Sequence, residues 1–204
     1  MSLSPEIRTR IEEIIASDRV VLFMKGDRRQ PQCGFSAQTA GILDQLVPNY
    51  TTINVLADND IREGIKQFSN WPTIPQLYIN GEFLGGCDLV NEAFQNGELF
   101  EELGMEVPKA SSPNVSVSDD ALRLIQQAVS AQPPGMAVFL SIDADWQHRL
   151  NLQQPTGKEI TAHAGDVILH MDPLTAQRAE GLQIDLEETP QGTGFRMTNP
   201  NQPA

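Results

Sequence analysis

One cysteine in the first half of the chain lies where its surroundings can make it chemically active. Cys33 follows the apolar run Val20–Met24 and a short loop, and a helical pattern begins near Ala37. A thiol between a strand and a helix faces free backbone N–H groups and the positive end of the helix dipole. Both favour the thiolate, so we expect the pKa of Cys33 to lie below that of a free cysteine.

The residue three positions after Cys33 limits the chemistry that this thiol can do. A dithiol redox motif would carry its second cysteine there, but the chain has Ser36. Pro31 stiffens the approach to the cysteine, and Gly34 removes side-chain bulk beside the sulfur. The sequence therefore offers one activated sulfur without a resolving partner inside the motif.

The elements that must position Cys33 alternate between helices and strands. In chain order they are a helix capped by Ser4, the strand 20–24, a helix from about 37, a strand over 50–55, a helix capped within 58–60, a strand ending at 79, a return strand over 82–84, and a helical region from 89 to about 102. Asn80-Gly81 is a strong signal for a hairpin turn. The order predicts an α/β fold with a mixed sheet flanked by helices, in the thioredoxin-like arrangement.

Composition and charge argue against several classes of protein. The chain has 204 residues and a net charge of −13, and both halves are acidic, so binding of nucleic acid is not expected. No apolar stretch reaches the length of a membrane span, and the first residues lack a secretory signal pattern, so we expect no membrane association. Two cysteines are too few for a secreted disulfide framework, which favours a reducing, cytoplasmic compartment.

Three motifs in the first half resemble those of monothiol glutaredoxins of the CGFS type. They cover roughly residues 5–105 in the family's order: Lys25-Gly26 with Cys33-Gly34-Phe35-Ser36, then Trp71-Pro72-Thr73-Ile74-Pro75-Gln76-Leu77-Tyr78, then Gly85-Gly86-Cys87-Asp88. The resemblance implies a thioredoxin-like fold that binds glutathione. It also implies that two such chains form a homodimer with one [2Fe–2S] cluster between them.

The resemblance further implies roles for particular residues. Cys33 would be both the cluster ligand and the redox thiol, and Pro75 matches the family's cis-proline. The positions expected to bind glutathione are Lys25 and Arg62 for its carboxylates, the backbone of Ile74 for the tripeptide chain, and Cys87 with Asp88 for its γ-glutamyl end.

The residues support a similar arrangement without the resemblance. A [2Fe–2S] cluster takes four thiolate-like ligands, and one chain offers one exposed, activated cysteine. Two chains offer two, and a small soluble thiol must supply the others. Glutathione is the abundant cytosolic candidate and is acidic, so Arg62 could hold a carboxylate through two hydrogen bonds and Lys25 could act as a point charge.

Ordinary structural roles remain open for the same residues. Lys25 and Arg62 could be solvated surface cations, and Asp88 could be a helix cap. Cys87 could be a small buried residue. It could also pair with Cys33 under oxidation, because residues that are distant in sequence can meet in the fold.

A second domain is expected after a segment that contains two prolines and two serines. We assign residues 1–107 to the first domain, 108–115 to a linker and 116–204 to the second domain. A helix capped by Ser118 and a series of short strands predict a smaller α+β, mainly β domain.

The second half resembles the A-type iron–sulfur carrier family through fewer motifs. These are Val167-Ile168-Leu169-His170-Met171-Asp172-Pro173, Gly192-Thr193-Gly194-Phe195 and Asn199-Pro200. The family's first cysteine would fall near residues 143–146, where this chain has none, and its other cysteines would lie beyond Pro200, where the chain stops. We therefore expect this half to dock partners or cluster-assembly proteins and not to bind a cluster.

Three hypotheses for function result from these patterns. The first is binding and transfer of a [2Fe–2S] cluster, held by Cys33 and glutathione across a homodimer, in iron–sulfur cluster assembly and iron homeostasis. The second is a weak glutathione-dependent thiol–disulfide oxidoreductase, in which Cys33 attacks a mixed disulfide and free glutathione resolves it. The third is an interaction protein whose second half recruits a client while the first half senses redox state or iron.

Overall fold

The chain is divided into two compact units in the computed structural model, which describes residues 3–189 and 192–203. One unit holds the residues up to Phe94 with Glu102–Gly104, and the other holds Gln95–Glu101 and the residues from Met105 onward. The domain limits at 107 and 115 stay a prediction, and the outermost predicted limits, residues 1 and 204, lie outside the described residues. No helix in the described ranges has the length and apolar character needed to cross a membrane.

The elements from the N-terminus to residue 102 alternate as the sequence predicts. They are α1 Pro5–Ala16, β1 Val20–Met24, α2 Gly34–Leu46, β2 Thr51–Asn54, α3 Asn59–Phe68, β3 Gln76–Ile79, β4 Glu82–Gly85, α4 Cys87–Gln95 and α5 Glu98–Glu102.

The first unit contains a four-stranded mixed sheet in the order β2-β1-β3-β4. Strand β1 pairs in parallel with β2 and antiparallel with β3, and every residue of β1 is buried. A strand with no polar face must be covered on both sides, which explains its position inside the sheet. Asn80 and Gly81 both have positive φ and join β3 to β4 in a two-residue turn, as predicted. The thioredoxin-like mixed sheet is confirmed.

Side-chain caps fix where the first helices begin. The Ser4 hydroxyl accepts a hydrogen bond from the N–H of Ile7, and the Asp58 carboxylate accepts from Asp60 and Ile61 at the start of α3. Helices α1 and α3 then pack their apolar residues on β1. Helix α3 is thereby held beside the carboxyl end of β1, where Cys33 follows.

Two helix limits differ from the sequence prediction. Helix α2 begins at Gly34 and not near Ala37, so Cys33 is its N-cap residue. The last helical region begins at Cys87 and is broken at Gly97, which has a φ of +86° that a helix cannot contain. The side chain of Asn96 accepts a hydrogen bond from the N–H of Glu98 and restarts the chain as α5.

The loop between β1 and Cys33 is closed by backbone hydrogen bonds at its neck. The N–H of Gln32 donates to the carbonyl of Lys25 at 2.9 Å, and Gly26 bridges to Pro31. Gly26 has a φ of +82°, and a Cβ atom there would collide with the carbonyl oxygen of Gln30 and lie 2.7 Å from the backbone nitrogen of Gln32. Only glycine fits this neck, which determines where the chain enters α2.

The second unit is mostly β structure, as predicted. Its named elements are β5 Ser116–Val117, α6 Asp119–Ser130, β6 Ala137–Ile142, β7 His148–Gln153, β8 Ile160–Ala164, β9 Val167–Met171, α7 Pro173–Arg178, β10 Gln183–Thr189 and β11 Gly192–Thr198. In the described ranges these strands form a three-stranded sheet, β11-β10-β5, and a four-stranded sheet, β7-β6-β9-β8. The two-residue strand β5 was not predicted, because two residues carry no periodicity.

Replacing Gly26 with alanine tests the neck of the loop. We expect Gly26→Ala to lower the free energy of unfolding by roughly 1–3 kcal/mol, because the residue is forced to a positive φ and against backbone atoms. The matched control is Gly41→Ala in α2, where a Cβ atom meets nothing within 4 Å. That change should raise stability by about 0.5–1 kcal/mol. Urea unfolding measures both, and equal effects would contradict the role of the neck.

Candidate functional site

A groove of about 380 Å³ lies in the first unit beside Cys33, and we call it the thiol groove. It brings together the residues to which the sequence analysis assigned binding roles: Lys25, Cys33, Arg62, Ile74, Cys87 and Asp88. Their individual roles stay predictions, but their meeting in one place is what those roles require.

Other residues complete the walls of the thiol groove. They are Phe35, Lys66, Trp71, Pro72, Thr73, Pro75 and Gly86. Lys66 was not predicted as a site residue, although it lies four residues after Arg62 and so shares a face of α3 with it. Phe35 is 59% exposed, so an apolar surface lies beside the thiol.

Cys33 lies partly exposed at the N-terminus of α2. Its neutral thiol makes no capping hydrogen bond. The backbone N–H of Ser36 nevertheless stabilises the thiolate and lowers the pKa of Cys33. The N–H of Phe35 and the charge of Lys25 act in the same direction, against the opposing effect of burial. The position therefore favours the thiolate over the thiol, as the sequence predicts.

Ser36 occupies the place of a second cysteine and has a structural use there. Its side chain is fully buried, and its hydroxyl oxygen accepts a hydrogen bond from the backbone N–H of Lys25 at 3.1 Å. The same hydroxyl favours the thiolate of Cys33. Ser36 thus joins the end of β1 to the first turn of α2 and holds Lys25 near the sulfur.

The thiol groove concentrates positive charge in an acidic unit. Residues 1–107 carry 8 basic and 16 acidic side chains. Within the described residues, three of those cations line the groove: Lys25, Arg62 and Lys66. Lys66 pairs with Glu63 at 2.9 Å, and the buried Nε atom of Arg62 has no hydrogen-bond partner. Asp88 also lines the groove and adds a negative charge to it.

The segment before β3 is shaped by a buried amide. Gln76 is completely buried, and its Nε2 donates to the carbonyls of Trp71 at 2.9 Å and Thr73 at 3.2 Å. The bond between Ile74 and Pro75 is cis, as the family resemblance implied. Gln76 was not predicted as a site residue, because a buried amide in a strand has no distinctive sequence pattern. Its position explains how the loop wall keeps its shape.

Arg28 anchors the tip of the loop that leads to Cys33. Its Nε lies 2.5 Å from the carboxylate of Asp44, and its guanidinium lies 4.7 Å above the ring of Tyr50. The Tyr50 hydroxyl also donates to Asp44 at 2.8 Å. Arg28 is therefore paired with Asp44 near the C-terminal end of α2, and it does not line the thiol groove.

Cys87 differs from Cys33 although both line the thiol groove. It begins α4 and is buried, and this burial raises the pKa of its thiol. Both cysteines are free. The groove therefore contains one activated sulfur and one that favours its neutral form.

The fold and the site define a thioredoxin-like protein with one activated thiol at a helix N-terminus. Comparison with known sequences identifies its family. A glutaredoxin family profile matches residues 20–84. The uncharacterized monothiol glutaredoxin ycf64-like of Synechocystis is 51% identical over 109 residues, which are 53% of this chain and 100% of that protein. Monothiol glutaredoxin-5, mitochondrial, of Saccharomyces cerevisiae is 54% identical over 106 residues, 50% of this chain and 71% of that protein.

The same half matches other relatives. Monothiol glutaredoxin-S14, chloroplastic, of Arabidopsis thaliana is 49% identical over 102 residues, 50% of this chain and 59% of that protein. The solution structure of reduced poplar apo GrxS14 is 46% identical with a TM-score of 0.46, over 51% of this chain and 95% of that one. With its match to the full length of the Synechocystis protein, the chain belongs to the monothiol glutaredoxin family through its first half.

The electrostatic role of Lys25 can be tested on Cys33 directly. In a Cys87→Ala background, the alkylation rate of Cys33 should rise with pH around a midpoint below that of a free cysteine. Lys25→Gln should move the midpoint to higher pH, because a charge that favours the thiolate is lost. The matched control is Arg29→Gln, the same charge change at an exposed loop residue that does not line the groove. Equal shifts in both variants would argue against a local effect.

Proposed function

We propose that this protein binds and transfers a [2Fe–2S] cluster, held by Cys33 and glutathione across a homodimer. The observation that carries the proposal is the partly exposed thiol of Cys33, whose pKa is lowered, in a groove lined by cations. The proposed setting is iron–sulfur cluster assembly and iron homeostasis in a reducing, cytoplasmic compartment.

The ligands present fit a cluster that is shared, and not one held by a single chain. Among the residues that the structure describes, no group of three or more His, Cys, Asp or Glu side chains could hold a metal ion. A [2Fe–2S] cluster takes four ligands. One Cys33 from each of two chains supplies two thiolates, and two glutathione thiolates complete the set.

The charges of the thiol groove suit glutathione. The tripeptide carries two carboxylates and one ammonium group, and the groove offers Lys25, Arg62 and Lys66 with Asp88. Arg62 can bind a carboxylate through its fork of N–H groups, while a lysine acts as a point charge. In this arrangement Asp88 holds the ammonium group and the backbone of Ile74 pairs with the peptide. The bound thiol then lies beside Cys33.

Each residue does one part of the work when the cluster is bound. Cys33 supplies an iron ligand whose pKa is lowered by the N–H of Ser36, so binding iron requires less proton release than at a free cysteine. The three cations hold glutathione in place and Phe35 offers apolar cover beside the sulfur. The cluster is cargo, and its bonds to a non-covalently held thiol favour its release to another protein.

A second candidate is glutathione-dependent reduction of mixed disulfides, favoured by the same lowered pKa of Cys33. Its thiolate would attack the glutathione sulfur of a mixed disulfide, and the client thiolate would leave. Free glutathione would then attack the enzyme-bound glutathione sulfur and release Cys33. This route needs access for a second glutathione.

Anaerobic reconstitution with iron, sulfide and glutathione tests the main proposal. We expect a coloured species that elutes as a dimer on gel filtration, requires glutathione and is lost in Cys33→Ser. Cys87→Ser is the comparison: it should keep the colour when glutathione is in excess, because Cys87 is assigned to the γ-glutamyl end of glutathione and not to iron. A colourless monomer under all conditions, with rapid turnover of a glutathionylated substrate, would replace the carrier by the oxidoreductase.

For the second unit we propose docking of cluster-assembly or client proteins, based on its resemblance to A-type carriers. The support is that Asn199 Nδ2 lies 3.1 Å from His148 Nε2. This contact joins the end of the chain to the region after residues 143–146, the two places where that family carries cysteines. In the alternative in which the protein is a redox- or iron-sensing interaction protein, the second unit would bind the client.

Shortening the chain to residues 1–107 tests the docking proposal. The shortened protein should still assemble the coloured dimer, since all assigned ligands lie before residue 107. Its rate of cluster transfer to a client that the full chain supplies should fall several-fold, because residues 108–204, which make up most of the second unit, are gone. Equal transfer rates from both proteins would remove the basis for docking.

A further inference from the structure

The second cysteine of the thiol groove is covered by a side chain from the helix that Cys33 caps. Gln38 lies five residues after Cys33 on α2, and its Oε1 atom is 3.4 Å from the Sγ atom of Cys87. At this distance the thiol S–H donates to the amide oxygen. A thiolate has no proton to donate, so this contact exists only for the neutral form of Cys87.

A second hydrogen bond sets the orientation of the Gln38 amide. Its Nε2 donates to the Oδ1 atom of Asn91 at 3.3 Å. Asn91 lies one helical turn after Cys87 on α4. With the N–H side of the amide occupied by Asn91, the carbonyl side faces the sulfur. The three side chains form a bridge between α2 and α4, and this bridge favours the thiol.

The other groups near Cys87 either raise or lower the pKa of its thiol. Burial raises the pKa of the thiol most, and the charges of Asp88 and Cys33 act in the same direction, while the Thr39 hydroxyl acts against them. The cations that line the same groove are Lys25, Arg62 and Lys66. Gln38 thus acts where two nearby negative groups already disfavour a second thiolate.

We propose that Gln38 holds Cys87 as a protonated thiol and so keeps it from acting as a second nucleophile toward Cys33. The inference deepens the proposed function and rests on it for the identity of glutathione as ligand. Its consequence is that Cys33 stays available to glutathione or a cluster under oxidising conditions that would otherwise consume both cysteines.

The chemistry that Gln38 restrains has two steps. With glutathione disulfide as oxidant, the Cys33 thiolate attacks one sulfur, a mixed disulfide forms, and one glutathione leaves as a thiolate. Cys87 would then lose its proton to water and attack the Cys33 sulfur, and the second glutathione would leave as a thiolate. Two protein thiols would be oxidised and one glutathione disulfide reduced. Gln38 opposes the loss of the proton in the second step.

Alkylation of Cys87 across a pH series tests the proposal without any cluster or glutathione. In a Cys33→Ser background we expect Gln38→Ala to shift the midpoint to lower pH, with a several-fold faster reaction at neutral pH. Gln38→Glu keeps an acceptor oxygen and adds a negative charge, so its midpoint should move to higher pH. Opposite shifts from two changes at one exposed position are not expected of a purely structural role. The matched control is Gln45→Ala, the same change two turns further along α2.

The full protein gives the second measurement. After exposure to glutathione disulfide, mass spectrometry separates the mixed disulfide, which gains a glutathionyl group, from the intramolecular disulfide, which loses two hydrogens. Gln38→Ala should form the intramolecular disulfide several-fold faster than the native protein, and Gln38→Glu should stop at the mixed disulfide.

Three outcomes separate this proposal from the proposed function. Unmoved Cys87 midpoints overturn the role of Gln38 even if the coloured dimer forms. Slower alkylation in Gln38→Ala also overturns it, because Gln38 would then be donating to a thiolate. Shifted midpoints without a coloured dimer support the role of Gln38 and reject the carrier function.

Discussion

The structure of the site depends on the contact between the first turn of α2 and the sulfur that precedes it. The N–H of Ser36 stabilises the thiolate of Cys33, and the Ser36 hydroxyl holds the backbone of Lys25. One residue therefore links the helix, the thiol and the end of the central strand. If this turn moved, the thiol would lose its activating dipoles and the groove would lose a cation together. The buried position of Ser36 makes such movement costly.

Around this contact, the fold supplies each wall of the thiol groove from a different element. Helix α3 brings Arg62 and Lys66, the loop shaped by Gln76 brings its backbone and the indole of Trp71, and the start of α4 brings Asp88. Of these elements, helix α3 packs its apolar residues on the buried strand β1. A ligand that contacts all of these elements is selected by the spacing between them. Such selection is the usual basis of preorganised binding.

The sequence predicted those features of the fold that depend on local pattern. The apolar run Val20–Met24 and the Asn80-Gly81 turn are local signals, and both appear as expected. The site residues were gathered by family motifs, and the structure places them in one groove. Gln38 and Gln76 could not be predicted, since each acts through a partner that only tertiary packing brings near. Likewise, the break at Gly97 depends on one backbone angle in an otherwise helical pattern.

The uneven distribution of charge has a consequence for which molecules can reach the thiol. The chain carries a net charge of −13, yet the groove collects three cations. At physiological ionic strength, fields between exposed charges fade over about 8 Å. A small acidic peptide that arrives at the groove mainly senses the nearby cations, whereas a large acidic protein must bring its surface against many carboxylates. The cations of the thiol groove thus favour small anions beside Cys33, whereas the carboxylates elsewhere on the chain favour macromolecules with a basic surface.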